Sequence, residues 1–296
     1  MILLLADSKS RGKTNSTITV ENTGIILVMR YLKIRNVAAT YTFIKGTSPI
    51  VATAIHDGHH TREELKNLFN LSDSERLREE DPFTARWLNI SDNRIIVHHS
   101  RFETDVNRPR DKAVYRLPDD AWGLQVWNES LPEEVAEASL QVYDDFYREC
   151  EVYFDSLFAA NDKLVVIDIH SYNHRRDGVD IEADQERNPE VNIGTKNMDR
   201  QVWDPVVETL LRHCSSFNYG GRRLDVRENI KFKGGYFGEW LFRRYGEKIC
   251  PLSIEFKKFF MDEWSGEPFS KDIQLIDEML RSAKEPILQA LRQVKD

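Results

Sequence analysis

Two histidines and one glutamate stand at positions where an α/β chain concentrates its chemistry. His56 follows the apolar run Pro49-Ile50-Val51-Ala52-Thr53-Ala54-Ile55, and His170 follows Leu164-Val165-Val166-Ile167-Asp168-Ile169. Glu255 lies within Cys250-Pro251-Leu252-Ser253-Ile254-Glu255-Phe256. Such β-branched, nearly continuous apolar runs suit strands covered on both faces. In an open α/β sheet, ligands bind beyond the carboxyl ends of those strands. Imidazole is the commonest metal ligand, and catalytic zinc takes three protein ligands while keeping a position for water. A carboxylate outside the metal shell then serves as general base. His56 and His170 as ligands with Glu255 as base therefore describe metal-dependent hydrolysis. A purely structural reading is also open: hydrogen-bonded loop histidines, and a Glu255 ion-paired to Lys257 or Lys258.

The surrounding residues extend both readings. Asp168 lies two residues before His170, on the same side of a strand, where it could orient the imidazole. Asp57 directly follows His56 and is read with Asp168 as a carboxylate that supports the ligands from behind. His59 either joins His56 on a metal or faces solvent with His60. His98 and His99 end another strand-like run without a neighbouring carboxylate, and His213 reads as a helix-end or surface residue. The segment Ser100 to Pro109 offers Arg101 and Arg108 as planar forks for a substrate carboxylate, with Asn107 as a neutral donor. It reads equally as an ion-paired surface loop, with Arg101 against Asp105 and Arg108 or Arg110 against Asp111. Arg222, Arg223 and Arg227 form a second basic cluster, read as a solvated face.

The elements that must position these groups alternate. Strands are expected over 49–55, 94–98, 164–169, 222–226 and 250–256. Helices are expected over 61–69 with Thr61 as N-cap, 133–161, 202–213, 236–245 and 272–294, the last kinked at Pro286. The polar stretch from Tyr172 to Asn197 is too long for a simple connector and suggests function. This order predicts an α/β fold with a mixed, mostly parallel central sheet flanked by helices. Residues 1–24 read as a disordered arm or an edge hairpin, and 25–296 as a single domain. With 41% hydrophobic and 30% charged residues, the composition is that of a soluble globular protein. A formal charge of −8 argues against a general nucleic-acid footprint. No run approaches a membrane span, Met1 to Leu5 lacks the flanks of a signal peptide, and Cys150, Cys214 and Cys250 lack paired spacing, so a cytoplasmic location is expected.

Taken together, the motifs carry a resemblance. Ala54-Ile55-His56-Asp57-Gly58, Glu80-Asp81-Pro82-Phe83-Thr84, Ser100-Arg101-Phe102 through Asp105-Val106-Asn107-Arg108, Ile167-Asp168-Ile169-His170-Ser171, Phe232-Lys233-Gly234-Gly235-Tyr236, Ile254-Glu255-Phe256-Lys257 and Met261-Asp262-Glu263 occur in that order over roughly residues 48 to 290. The chain thereby resembles the N-formylglutamate amidohydrolase family, and within it a divergent branch associated with proteins bearing a QEGLP motif. The resemblance implies a zinc-carboxypeptidase-like fold with about eight strands. It implies a site for Zn2+ or another divalent metal, and hydrolysis of an N-acyl amide on a small carboxylate-bearing amino acid such as N-formyl-L-glutamate. On this carry-over His56 and His170 are ligands, Glu255 is the base, and Asn107 and Arg108 hold the substrate carboxylate with Arg101 nearby. The third ligand is Asp81 or His59. Asp57 stands where relatives have Ser, and the loop Asn173-His174-Arg175-Arg176-Asp177 looks particular to this branch. The alternatives are a carboxypeptidase-like hydrolase of another peptide or conjugated amino acid, and a catalytically silent metal-binding regulator.

Overall fold

Four parallel strands form the centre of the molecule, and the alternation of their residues decides which face carries the polar groups. The computed structural model describes residues 15–22, 25–32 and 40–295, the first two segments as backbone only. In chain order the elements are β1 (Asn15–Asn22), β2 (Ile25–Leu32), β3 (Tyr41–Lys45), β4 (Ile50–Ala54), α1 (Asp73–Glu79), β5 (Asn93–Val97), α2 (Glu133–Phe158), β6 (Leu164–Tyr172), β7 (Val191–Gly194), α3 (Asp204–Ser216), β8 (Val226–Glu228), α4 (Tyr236–Tyr245), β9 (Ile249–Lys257), α5 (Ser270–Ser282) and α6 (Lys284–Leu291). The strands form one nine-stranded sheet in the order β1-β2-β3-β5-β4-β6-β9-β7-β8. Pairing is parallel through β5, β4, β6 and β9, and antiparallel where β3 and β7 flank that centre. The fold is thus the expected mixed α/β sheet between helices, with nine strands against about eight.

On β4 and β6, Ile50, Ala52, Val165 and Ile167 face a core shared with Leu210 of α3, Ile276 of α5 and Ile287 of α6. The intervening Val51, Leu164 and Val166 face Phe146 and Phe154 of α2 and Phe237 of α4. Burying each of these side chains contributes ~1.5–3 kcal/mol. Strand residues alternate between faces, so Thr53, Asp168, His170, Ser253 and Glu255 all fall on the α2/α4 side. They occupy the C-terminal ends of the strands, where the apolar alternation on that face stops. Register aligns Thr53, Asp168 and Ser253 in one row and His170 with Glu255 in the next.

Several expectations are corrected. β6 runs through Tyr172, so His170 is a strand residue and not the first residue beyond one. The helix expected over 61–69 is only a 3₁₀ turn at Glu63–Leu65 with no side-chain cap. Arg62 N–H donates instead to Glu103 Oε2 at 2.9 Å, and His60 is tied by backbone hydrogen bonds to His98 and Ser100. The terminal helix divides at Ala283, leaving Pro286 in the first turn of α6, where a missing N–H costs nothing. The expected strand at 222–226 appears as β8, displaced toward Glu228. Four residues of the long polar stretch form β7, antiparallel to β9. Of the arm expected over 1–24, residues 1–14, 23 and 24 lie outside the described residues, while β1 pairs antiparallel with β2. Among the described residues no helix is long and apolar enough to cross a membrane.

Candidate metal centre

The site begins with a backbone tie. The peptide N–H of Asp81 donates to His56 O at 3.0 Å, which sets the residue after α1 and Glu80 beside the end of β4. Helix α1 starts at a capping box formed by Ser72 and Glu75, and it ends where Glu80 turns extended. Its C-terminal carbonyls are met by Lys258, whose Nζ donates to Arg78 O at 2.6 Å and Glu80 O at 2.7 Å. Burial pushes this ammonium down to about 8, with acidic neighbours led by Asp81 opposing the shift.

Two imidazoles converge on the carboxylate so placed. His170 Nδ1 lies 2.9 Å and His56 Nδ1 3.4 Å from the same Asp81 Oδ2. The rings are 5.0 Å apart at 64°. One ligand atom from each of His56, Asp81 and His170 lies within 4.8 Å of the others, and all three residues are buried. Their outward nitrogens are held as well. His56 Nε2 donates to Asp105 Oδ1 at 2.7 Å and His170 Nε2 to Asp168 Oδ2 at 2.8 Å. Thr53 Oγ1 holds the other oxygen of Asp168 at 2.5 Å. Carboxylates behind the rings fix the tautomer in which Nδ1 is free to bind a cation. The donor set of two imidazoles and one carboxylate fits a divalent metal that keeps an open position.

The electrostatics follow from burial and pairing. Burial alone would raise the Asp81 carboxyl, but hydrogen bonds and charge from His170 and His56 hold it well below the carboxylate range. Asp105 is likewise held down against its burial, by Arg101, His56 and the Tyr115 hydroxyl. Among the described residues Glu255 has no such partner. It receives Ser253 Oγ at 3.2 Å, and burial pushes it up to about 7, with Asp81 and Asp168 adding to the rise and His170 opposing it.

These groups face a cavity of about 190 Å³ lined by His56, Asp81, His170 and Glu255, and by Arg101 and Asn107. Glu255 keeps partial solvent access through it. Arg101 donates to Asp105 Oδ2 at 2.7 Å and lies 4.9 Å from the Trp122 ring. Asn107 Oδ1 accepts from Phe237 N at 2.9 Å, at the start of α4. Gly235 makes this approach possible, since a Cβ there would fall 2.3 Å from Asn107 Oδ1.

The expected residues divide accordingly. The structure groups Asp81, and not His59, with the two histidines. His59 Nδ1 pairs with Glu80 Oε2 at 2.6 Å. The Asp57 carboxylate bonds neither imidazole; its Oδ1 accepts from Ala85 N at 3.0 Å, in the first turn of the 3₁₀ helix Thr84–Ile90. Burial pushes that carboxyl up to about 6. Arg108 stacks on Tyr115 at 4.6 Å and does not line the cavity. The ion pair between Arg101 and Asp105 exists, but inside the site and not on a surface loop. Arg110 pairs with Asp144 and Glu137, not Asp111. Asp105 is the participant not foreseen. Its signal was position, two residues before Asn107 in a segment dense with cations.

A family model described as N-formylglutamate amidohydrolase matches residues 48–261. The crystal structure of N-formylglutamate amidohydrolase from Ralstonia eutropha JMP134 superposes with a TM-score of 0.61 at 14% identity, covering 81% of this chain and 94% of that one. The structure of a gene product from Agrobacterium tumefaciens superposes with a TM-score of 0.59 at 18% identity, covering 84% of this chain and 92% of that one. At these identities the likeness is one of fold. No curated protein matches the chain.

Proposed function

The chain belongs to the N-formylglutamate amidohydrolase family, and on that premise we propose that it is a zinc-dependent amidohydrolase that cleaves the N-acyl bond of a carboxylate-bearing amino acid, N-formyl-L-glutamate or a close relative. The observation that carries the reading is the convergence of His56 Nδ1 and His170 Nδ1 on Asp81 Oδ2, with Glu255 at the same cavity. A divalent cation held by His56, Asp81 and His170 would supply Lewis acidity to the acyl carbonyl and to water. The protein's own groups do the rest. Glu255 takes a proton from the attacking water as its oxygen bonds the acyl carbon. The same carboxyl returns that proton to the departing nitrogen as the C–N bond breaks, giving a carboxylic acid and a free amine. Arg101 and Asn107 bind the substrate carboxylate, and Arg108 backs them from its stack on Tyr115. Asp105 and Asp168 keep both rings oriented throughout.

The acyl group admits a second reading on one observation. Trp122 and Phe232 line the cavity while 48% and 40% exposed. Two open aromatic surfaces suit a conjugated amino acid with an acyl group larger than formyl. Cys150, Cys214 and Cys250 are buried and unpaired, which supports the proposed cytoplasmic setting.

The test is metal content after zinc-replete purification, combined with amine release from a panel of N-acyl amino acids. About one zinc per chain and preferential cleavage of N-acyl acidic amino acids are expected. A protein that stays metal-free, or one that cleaves none of the panel when loaded, would sink the proposal.

A further inference from the structure

Asn173 immediately follows β6, and its main chain is held on both sides. Tyr172 O accepts from Lys258 N at 3.0 Å. His174 N and Arg175 N each donate to one oxygen of the buried Glu263 at 2.8 Å. The framework around Asn173 therefore sets its position without help from its side chain. That side chain lines the same cavity as His56, Asp81, His170 and Glu255. The residue is only 4% exposed, and its Oδ1 is buried with no hydrogen-bond partner among the described residues. An unpaired buried acceptor is costly, and native proteins leave few of them without a reason. A cavity-lining side chain on a firmly held main chain, whose acceptor has nothing to accept from, is built for a bound molecule that turns that acceptor toward it.

We infer that Asn173 is a substrate-contacting specificity residue, whose Oδ1 accepts a hydrogen bond from the amide N–H of the scissile N-acyl bond. The inference rests on the amide-hydrolase reading given above. An amide oxygen can only accept. The ionised carboxylate and the acyl oxygen of an N-acyl amino acid also only accept, so the donor common to this substrate class is the scissile N–H. That hydrogen stays on nitrogen throughout hydrolysis while Glu255 delivers a second one, so the contact persists into the amine product. An O-acyl hydroxy acid, with oxygen in place of the N–H, would instead set a lone pair against Oδ1. A site built around a donor rejects the analogue that lacks it.

The experiment measures kcat/KM of the zinc-loaded parent and of Asn173→Ala on the best N-acyl amino acid and on its O-acyl counterpart, with the thermal midpoint of each protein. Using both substrates cancels their difference in intrinsic reactivity. The variant should lose roughly tenfold on the amide while the ester is unchanged or faster. Its thermal midpoint should shift little, because relief of the unpaired oxygen offsets the packing lost with the amide. Equal loss on both substrates, no loss on either, or a lowered midpoint accompanying loss on both would overturn the inference while amide hydrolysis stands. A loaded parent inactive on every N-acyl amino acid would overturn both together.

Discussion

His170 and Glu255 are register partners on the adjacent parallel strands β6 and β9. With Asp168 and Ser253 paired in the row before them, the proposed ligand, the carboxylate behind it and the proposed base are mounted on one ladder. Their spacing is set by backbone hydrogen bonds at the centre of the sheet. Rigid mounting of this kind favours a base that need not be recruited by loop closure.

Glu255→Gln keeps the shape and removes the base. Activity of the loaded enzyme should fall by ~10²-fold or more, with zinc content and thermal midpoint close to those of the parent. Stoichiometric zinc together with parental activity would remove Glu255 from its role.

As the proposed base, Glu255 should also set the pH profile. Burial raises its carboxyl to about 7 in the free site, and a bound cation pulls it back toward the ordinary range. The base works as a carboxylate, so kcat/KM should rise with pH, with an acid limb above the usual glutamate range and no higher than about 7. The residual activity of Glu255→Gln should lack that limb. An identical limb in both proteins assigns it to another group.

Asp81→Asn removes the anionic ligand, while an asparagine leaves the peptide tie to His56 O in place. Bound zinc should drop well below one per chain, and chelator should no longer shift the thermal midpoint, since a ligand stabilises only the state it binds. Asp105→Asn acts one bond further out and should weaken zinc affinity by roughly 10- to 100-fold without abolishing it. Competition with a chromogenic chelator separates the two variants.

Asp57 gives a stability prediction independent of catalysis. Its folded pKa, raised by burial from 3.8 to about 6, exceeds the unfolded value. The favourable contribution is thus complete below pH 4 and is lost as pH rises through 6, on the order of 3 kcal/mol in all. In metal-free protein, Asp57→Asn should match the parent in urea unfolding near pH 4 and be the more stable near pH 7. A parent that gains relative stability over that interval would contradict the assignment.

Much of this arrangement was legible in the chain. The β-branched runs of β4, β6 and β9 announce buried strands, and their polar ends announce a site. The resemblance narrowed the third ligand to two residues, and the tie between Asp81 N and His56 O settles which one stands beside the histidines. Other features were hidden by their own physics. β7 has four residues and includes Asn192, whose side chain serves Ile230 N and Lys231 N, so its pattern does not read as a strand. β3 is short and alternating. Ser72 and Glu75 did carry a readable signal for α1. Asp57 was misjudged because adjacency to His56 along the chain is not adjacency in space, where its partner is Ala85.

The clip from Lys258 to the carbonyls beyond α1 bears on how the protein is assembled. His56 and Asp81 are joined by the connection that runs out from β4, and His170 stands 89 positions after Asp81, on a strand that must already lie beside β4. Lys258, which steadies the Asp81 end, comes later still. A nascent chain that stops short of β6 cannot offer the three donors at once, and the clip that steadies the Asp81 end waits for the residue after β9. Zinc would therefore act as a latch on finished molecules rather than a seed for unfinished ones: its signature would be slower unfolding, with refolding rates left where they were.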